Sequence, residues 1–198
     1  MIAIVDYGAG NLSSVKKAFD FLGFAAEITS ATDVVRAADK IVLPGVGHFA
    51  ATERLRISGL RDAIAESIDR GSPFLGICVG MQWLFSGSTE APQTPGLGLL
   101  AGNCERFPAG IKVPHVGWNS LRRLRESRLL RDIEPDSFVY FTHSFRAPVC
   151  DSTSAVAEYG APFAAAVERE NVFGVQFHPE KSGATGLQLL RNFGALPC

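Results

Sequence analysis

Through the first 85 residues, short β-branched runs alternate with helix-patterned segments: "IAIVDY", "SSVKKAFDFLG", "AAEIT", "DVVRAA", "KIVLPG", "GLRDAIAESIDRG", "PFLGIC" and "MQWLF". This alternation restricts the fold more than any other feature. A strand that feeds a helix and then another strand closes β-α-β units around a parallel sheet. Gly23 and Gly71 follow two of the helical patterns, where a left-handed glycine ends a helix. After residue 86 a polar, proline-rich stretch, "SGSTEAPQTPGLGLL", leads into "AGNCERFP", "VPHVGWNSL", "SFVYFTHSF" and "TSAVAEYG". These read as antiparallel strands added to the sheet or laid over it. The chain closes on two strand-like pieces joined by "REN", then a helix over about residues 184–193. The expected fold is α/β, a mostly parallel central sheet flanked by helices with additional antiparallel strands, in a single domain over residues 1–198.

Charge and composition remove several classes of function. A net charge of −1 offers no surface for a polyanion, so no nucleic-acid partner is expected. The one basic run, "SLRRLRESRLLR" (120–131), is broken by leucines and a glutamate and reads as a solvated face. The N-terminus "MIAIVDY" lacks the charged start of a signal peptide, and no stretch approaches the roughly 18 apolar residues of a membrane span. The chain is expected to be cytoplasmic, with no membrane partner. Four cysteines, at 78, 104, 150 and 198, are far apart without a CxxC pair, so neither a disulfide framework nor a zinc site is expected. No metal or cofactor is expected either.

Cys78 is framed as Gly76-Ile77-Cys78-Val79-Gly80, the form of a sharp strand-to-helix turn that exposes a nucleophile. Glycines suit the two flanking positions because strand and helix backbones approach closely there. The start of the following helix favours a thiolate. A base is also present. His178 ends a strand in "FGVQFHPEKS", Pro179 holds it extended, and Glu180, two residues on, points to the same side. Cys78, His178 and Glu180 supply nucleophile, base and orienting carboxylate. A papain-like arrangement fits poorly, since it needs a cysteine near the N-terminus and a remote Asn or Asp. His48, His115 and His143 have weaker claims. The "YGAGN" loop (7–11) follows a strand but lacks the third glycine and the lysine of nucleotide-binding loops.

These residues resemble the class I, or triad, glutamine amidotransferases, whose signatures Gly-x-Cys-x-Gly-x-Gln and His-Pro-Glu are complete here at 76–82 and 178–180. "VDYGAGNLSSV", "LPGVGHF", "VPHVGWNSL", "YFTHSF" and "GVQFHPEKS" extend the likeness over essentially the whole chain. They are most similar to the branch of glutaminase subunits that pair, as a heterodimer, with a (β/α)8-barrel cyclase in histidine biosynthesis. Val79 and Trp83 depart from the commonest residues of the pattern, both by apolar exchange. The resemblance implies a flavodoxin-like fold and hydrolysis of glutamine to glutamate and ammonia. It implies oxyanion donors at the N–H groups of Val79 and Val46, the latter on a Pro-Gly-Val-Gly turn able to flip. It further implies glutamine contacts at Gly47, Gln82, His143 and Ser144, and a partner interface at Asn11, Trp118, Asn119 and Lys181. A glutaminase serving another synthase, or a silent regulatory module, are the alternatives.

Overall fold

The computed structural model describes residues 1–197; Cys198 lies outside the described residues. Five strands form the parallel half of an eight-stranded sheet: β1 (Ile2–Val5), β2 (Ala26–Thr29), β3 (Lys40–Gly45), β4 (Phe74–Cys78) and β13 (Val172–Val175). Three antiparallel strands complete it: β8 (Arg122–Arg123), β11 (Thr153–Glu158) and β12 (Pro162–Arg169). The order is β2-β1-β3-β4-β13-β12-β11-β8. Two small sheets lie outside it. One joins β5 (Phe85–Ser88), β6 (Leu100–Arg106) and β10 (Phe145–Arg146); the other is a ribbon of β7 (His115–Ser120) and β9 (Phe138–His143). The antiparallel additions therefore take both expected forms. The pairing of β5 with β6 is parallel, against expectation, because the proline-rich loop between them crosses over instead of turning back.

Strand alternation divides the interior into two apolar layers. On one face Ile2, Ile4, Val42, Leu75 and Ile77 pack with Val15 and Phe19 of α1 (Leu12–Phe21) and with Leu189, Leu190 and Phe193 of α6 (Gly183–Gly194). On the other, Val5, Ile41, Leu43 and Phe74 meet α2 (Thr32–Ala37), α3 (Glu53–Ile57) and α4 (Leu60–Asp69) through Val35, Leu55 and Ile64. Each fully buried Ile, Leu or Phe contributes about 1.5–3 kcal/mol, so both layers are needed to offset chain entropy. Helices α1 and α4 end as their glycines require. Gly23 (φ +82°) and Gly71 (φ +96°) donate to Asp20 and Ile68, while Phe24 and Ser72 donate to Phe19 and Ser67. These paired bonds form the left-handed helix stop.

One expectation needs correction. "MQWLF" does not continue a helix: α5 is a single turn, Val79–Gln82, and the chain re-enters a strand at Phe85. Trp83 and Leu84 are buried in the second apolar layer, so packing overrides helical propensity there. One turn has little dipole, so the start of α5 contributes little at the Cys78 position.

Candidate active site

Cys78 ends β4 and caps α5 with φ +55°, ψ −110°, a conformation that costs a non-glycine residue on the order of 1–3 kcal/mol. The surrounding backbone enforces it. A Cβ on Gly80 would lie 1.9 Å from the Leu43 carbonyl oxygen, and one on Gly76 would lie 2.4 Å from the Gly80 carbonyl oxygen. Only glycines let β3, β4 and α5 come this close. Gly45, at the end of β3, is similarly confined: a Cβ there would sit 2.8 Å from the Gly80 nitrogen and 2.7 Å from Tyr7 Oη. The turn after β3 thus packs directly on the cysteine's own turn.

His178 lies just past β13, beside β4 in the sheet, which brings it to Cys78 across 100 residues of sequence. Its Nδ1 is 2.9 Å from Glu180 Oε1, and both side chains are 1% exposed. A carboxylate only accepts, so Nδ1 carries the proton and Nε2 is left for chemistry. Nε2 is buried without a well-aligned hydrogen-bond partner. Its neighbour is the Cys78 sulfur, which acts on the charge of the ring. Burial alone would lower the His178 pKa, but interactions with Cys78 and Glu180 outweigh it and raise the value from 6.5 to about 9. The imidazole therefore holds its second proton at neutral pH. Tyr7 is also drawn in. Burial, and then the charge of Cys78, push its hydroxyl well above the usual range, and its Oη has no protein partner.

In front of the sulfur is a cavity of about 340 Å³, at the small end for ligand sites and suited to an amino acid. Val46, Gly47, Cys78, Val79, Gln82 and Glu90 line it, with Ser144 and its neighbours opposite. Val79 begins α5, so its N–H has no partner within the helix. Val46 is 37% exposed, and Gly47 takes φ +90°. Gln82 is buried and its NH2 group is engaged inward, 2.9 Å from both the Phe145 carbonyl and Gln176 Oε1. Its oxygen is the atom left for a ligand. The His143 ring is occupied at both nitrogens, with Phe145 O at 2.8 Å from Nδ1 and His115 Nδ1 at 3.1 Å from Nε2. Any ligand contact from the His143–Ser144 segment therefore falls to its backbone or to Ser144.

Two residues of the site escaped the sequence reading. Glu90 is the acidic side chain on the cavity wall, held by the Phe49 N–H at 2.8 Å. Gln176 is fully buried and reaches the Cys78 sulfur at 3.6 Å. Its one signal in the sequence was its place two residues before His178.

The residues assigned to an interface separate. Trp118 is 55% exposed and lies on the outer face of the β7–β9 ribbon with Val116 and Phe138, also exposed. Lys181 Nζ stands 5.9 Å above the Tyr140 ring on that face. Asn119, one residue from Trp118, faces the other way and donates to the Glu158 carbonyl at 2.9 Å. Asn11 donates to Glu180 Oε1 at 3.2 Å, so its amide belongs to the triad's surroundings. Among the described residues no helix is long and apolar enough to cross a membrane, and no group of three or more His, Cys, Asp or Glu side chains suits a metal ion.

A cysteine on a strained strand-to-helix turn, a buried His-Glu pair and an amino-acid-sized cavity meet where β4 and β13 end. The chain belongs to the class-I glutamine amidotransferase family, whose model matches residues 3–195. Several curated relatives carry one name. It is 50% identical over 198 residues to the imidazole glycerol phosphate synthase subunit HisH of Moorella thermoacetica, covering 98% of this chain and 94% of that protein. It is 48% identical to the HisH subunits of Methanothermobacter thermautotrophicus (98% and 97% covered) and Thermococcus kodakarensis (99% and 100%). Solved structures agree on the fold. A glutamine amidotransferase crystal structure matches at TM-score 0.76 and 20% identity (98% and 97% covered), and PurLQS from Thermotoga maritima at 0.74 and 21% (97% and 96%).

Proposed function

We propose that this chain is the glutaminase subunit of imidazole glycerol phosphate synthase, working as one amidotransferase domain in the cytoplasm. The observation that carries the chemistry is the buried His178–Glu180 pair set against Cys78. The Cys78 sulfur attacks the side-chain amide carbon of glutamine, and the N–H groups of Val79 and Val46 hold the resulting oxyanion. His178 gives its Nε2 proton to the amide nitrogen, the C–N bond breaks, and ammonia leaves behind a glutamyl thioester. Now neutral, His178 takes a proton from water, which attacks the thioester and releases glutamate. Glu180 keeps Nδ1 protonated throughout. Gln82 Oε1 and Glu90 supply acceptors for glutamine N–H and ammonium groups.

Ammonia in bulk water at neutral pH protonates and diffuses away, so it is passed to a docked cyclase, a (β/α)8 barrel in a heterodimer. The exposed face of Val116, Trp118 and Phe138, with Lys181 at its edge, is the docking surface we favour, since aromatic anchors of this kind dominate interfaces. The Val46 peptide is the switch. One oxyanion donor is worth about 2.7–4 kcal/mol, so a partner that turns this N–H inward raises the rate by about 10²–10³. Val46 N–H already aimed inward in the free subunit, together with full activity alone, would refute this.

The test is covalent labelling. A diazoketone analogue of glutamine is expected to alkylate Cys78 stoichiometrically, with glutamine protecting, as read by peptide mass spectrometry. Labelling elsewhere, or no protection, would remove glutamine as the ligand of this cavity. The pH profile provides a second check. A raised pKa means His178 keeps its proton up to about 9 and loses it above. Accordingly kcat/KM should hold as pH rises from 7 towards 9, then fall about tenfold per unit. A fall already under way near 7 would mean an ordinary imidazole.

A further inference from the structure

A row of side-chain amides ends at the nucleophile. The Gln82 NH2 group serves both the Phe145 carbonyl and Gln176 Oε1, and Gln176 Nε2 lies 3.6 Å from the Cys78 sulfur. The row itself determines which end of each amide is nitrogen. A carbonyl only accepts, so the Gln82 atom facing Phe145 must be the NH2 group. That same group also faces Gln176, which must therefore present its oxygen to it. The nitrogen of Gln176 is then turned to the sulfur. The carbonyl at the far end is anchored too, since His143 Nδ1 donates to it and His143 Nε2 accepts from His115. Burial lowers these two histidines to pKa values of about 3 and about 4, so neither gains a proton that would break the row at working pH.

We propose that Gln176 is a positioning residue for the nucleophile, presenting to the Cys78 sulfur an N–H whose direction is set by Gln82 and the Phe145 carbonyl. The proposal rests on Cys78 being the nucleophile of glutamine hydrolysis. An N–H donor favours sulfur as the anion over the neutral thiol, and Gln176, fully buried, does not share its donor with water. Where α5 is a single turn and offers little dipole, this local donor supplies what the helix does not. The ionisable groups around the sulfur include His178, from the segment after β13, Tyr7, from the loop after β1, and Glu90, on the wall of the cavity that Cys78 also lines, while Glu180 acts through His178. Gln176 is not on the cavity wall, so it acts on the sulfur without touching glutamine.

Two variants of near-equal size test this. Gln176→Met removes the donor, and Gln176→Glu puts an oxygen where the donor stood. The readout is the rate of iodoacetamide alkylation at Cys78 against pH, followed on the peptide that carries it so that Cys104 and Cys150 do not contribute. The midpoint of alkylation is expected to rise by about one pH unit in Gln176→Met and further in Gln176→Glu. In Gln176→Met, kcat should fall about 10- to 100-fold with KM changed less than about threefold. A purely structural role predicts a lower melting temperature with an unmoved midpoint in Gln176→Met, and that result overturns the proposal. Should Gln176→Met fail to fold, Gln176→Leu, which also lacks the donor and adds no charge, carries the same test through its midpoint. If wild-type Cys78 is not alkylated and Cys78→Ala still hydrolyses glutamine, the nucleophile assignment fails instead, and the two failures are told apart.

Discussion

Cys78→Ala is expected to lose glutamine hydrolysis by at least about 10⁴-fold while the fold survives intact. The loss is chemical. Alanine keeps the Cβ, so the φ +55° turn costs about what it did before, and only the sulfur and its contact with Gln176 disappear. His178 and Glu180 remain hydrogen-bonded to each other, and without a nucleophile they have nothing to protonate or deprotonate in concert. A coupled assay for glutamate measures the loss, and thermal unfolding should show a melting temperature within a few degrees of wild type. Residual activity above about 1% would place the nucleophile elsewhere, since triad members act as a unit and removing one forfeits most of their joint effect.

Gly80→Ala, two residues on, is expected to fail for the opposite reason. Its new Cβ would lie 1.9 Å from the Leu43 carbonyl oxygen and 3.0 Å from the Leu43 carbonyl carbon. Those atoms belong to β3, which is bonded to β1 on one side and β4 on the other, so the obstacle is backbone that cannot swing aside. Relief requires moving α5 off the sheet, which opens the layer around Met81 and Trp83 and misplaces Cys78. A cost of about 4 kcal/mol or more is a large share of a typical domain's 5–15 kcal/mol. At this chain length that lowers the melting temperature by about 8 °C or more, or leaves the protein insoluble. A melting temperature within about 2 °C of wild type would show that β3 and α5 are not in contact as described.

This pair of variants also marks what could be read before the fold was known. Gly76, Cys78 and Gly80 fall within five residues of sequence, so the turn announces itself locally. The same holds for the ends of α1 and α4, where Gly23 and Gly71 complete hydrogen bonds within their own turns. His178 and Glu180 were legible as a pair two residues apart, although they meet across a 3-10 turn, Pro179–Lys181, and not along the extended segment the sequence suggests. Contacts that depend on distant segments were not legible. Asn11 meets Glu180 across 169 residues, so nothing near "YGAGN" distinguishes an inward amide from a docking one. Glu90 sits in a proline-rich loop and is fixed by a backbone N–H 41 residues away. Gln176 alternates with Val175 and Phe177, a pattern that equally suits a solvent-facing polar residue. Trp118 and Asn119 are adjacent in sequence, yet the strand pleat sends them to opposite faces, and only the register with β9 says which is outward.

The one-turn length of α5 changes the account of the nucleophile. A longer helix would have lent its dipole to the sulfur. Here we assign that work to His178 and Gln176, both from the segment just after β13. Strand β13 is thereby the element that assembles the chemistry, while β3 brings the turn that carries Val46 to the same cavity.

The most direct test of the central claim is the rate of glutamate formation by the purified chain, first alone and then with a histidine-pathway cyclase and its nucleotide ligand, with Cys78→Ala as the blank. A stimulation of about 10²–10³-fold, absent in the blank, is the predicted result, because one oxyanion donor turned inward is worth that much. A rate indifferent to the cyclase would leave Cys78 as the nucleophile but contradict the assignment to imidazole glycerol phosphate synthase.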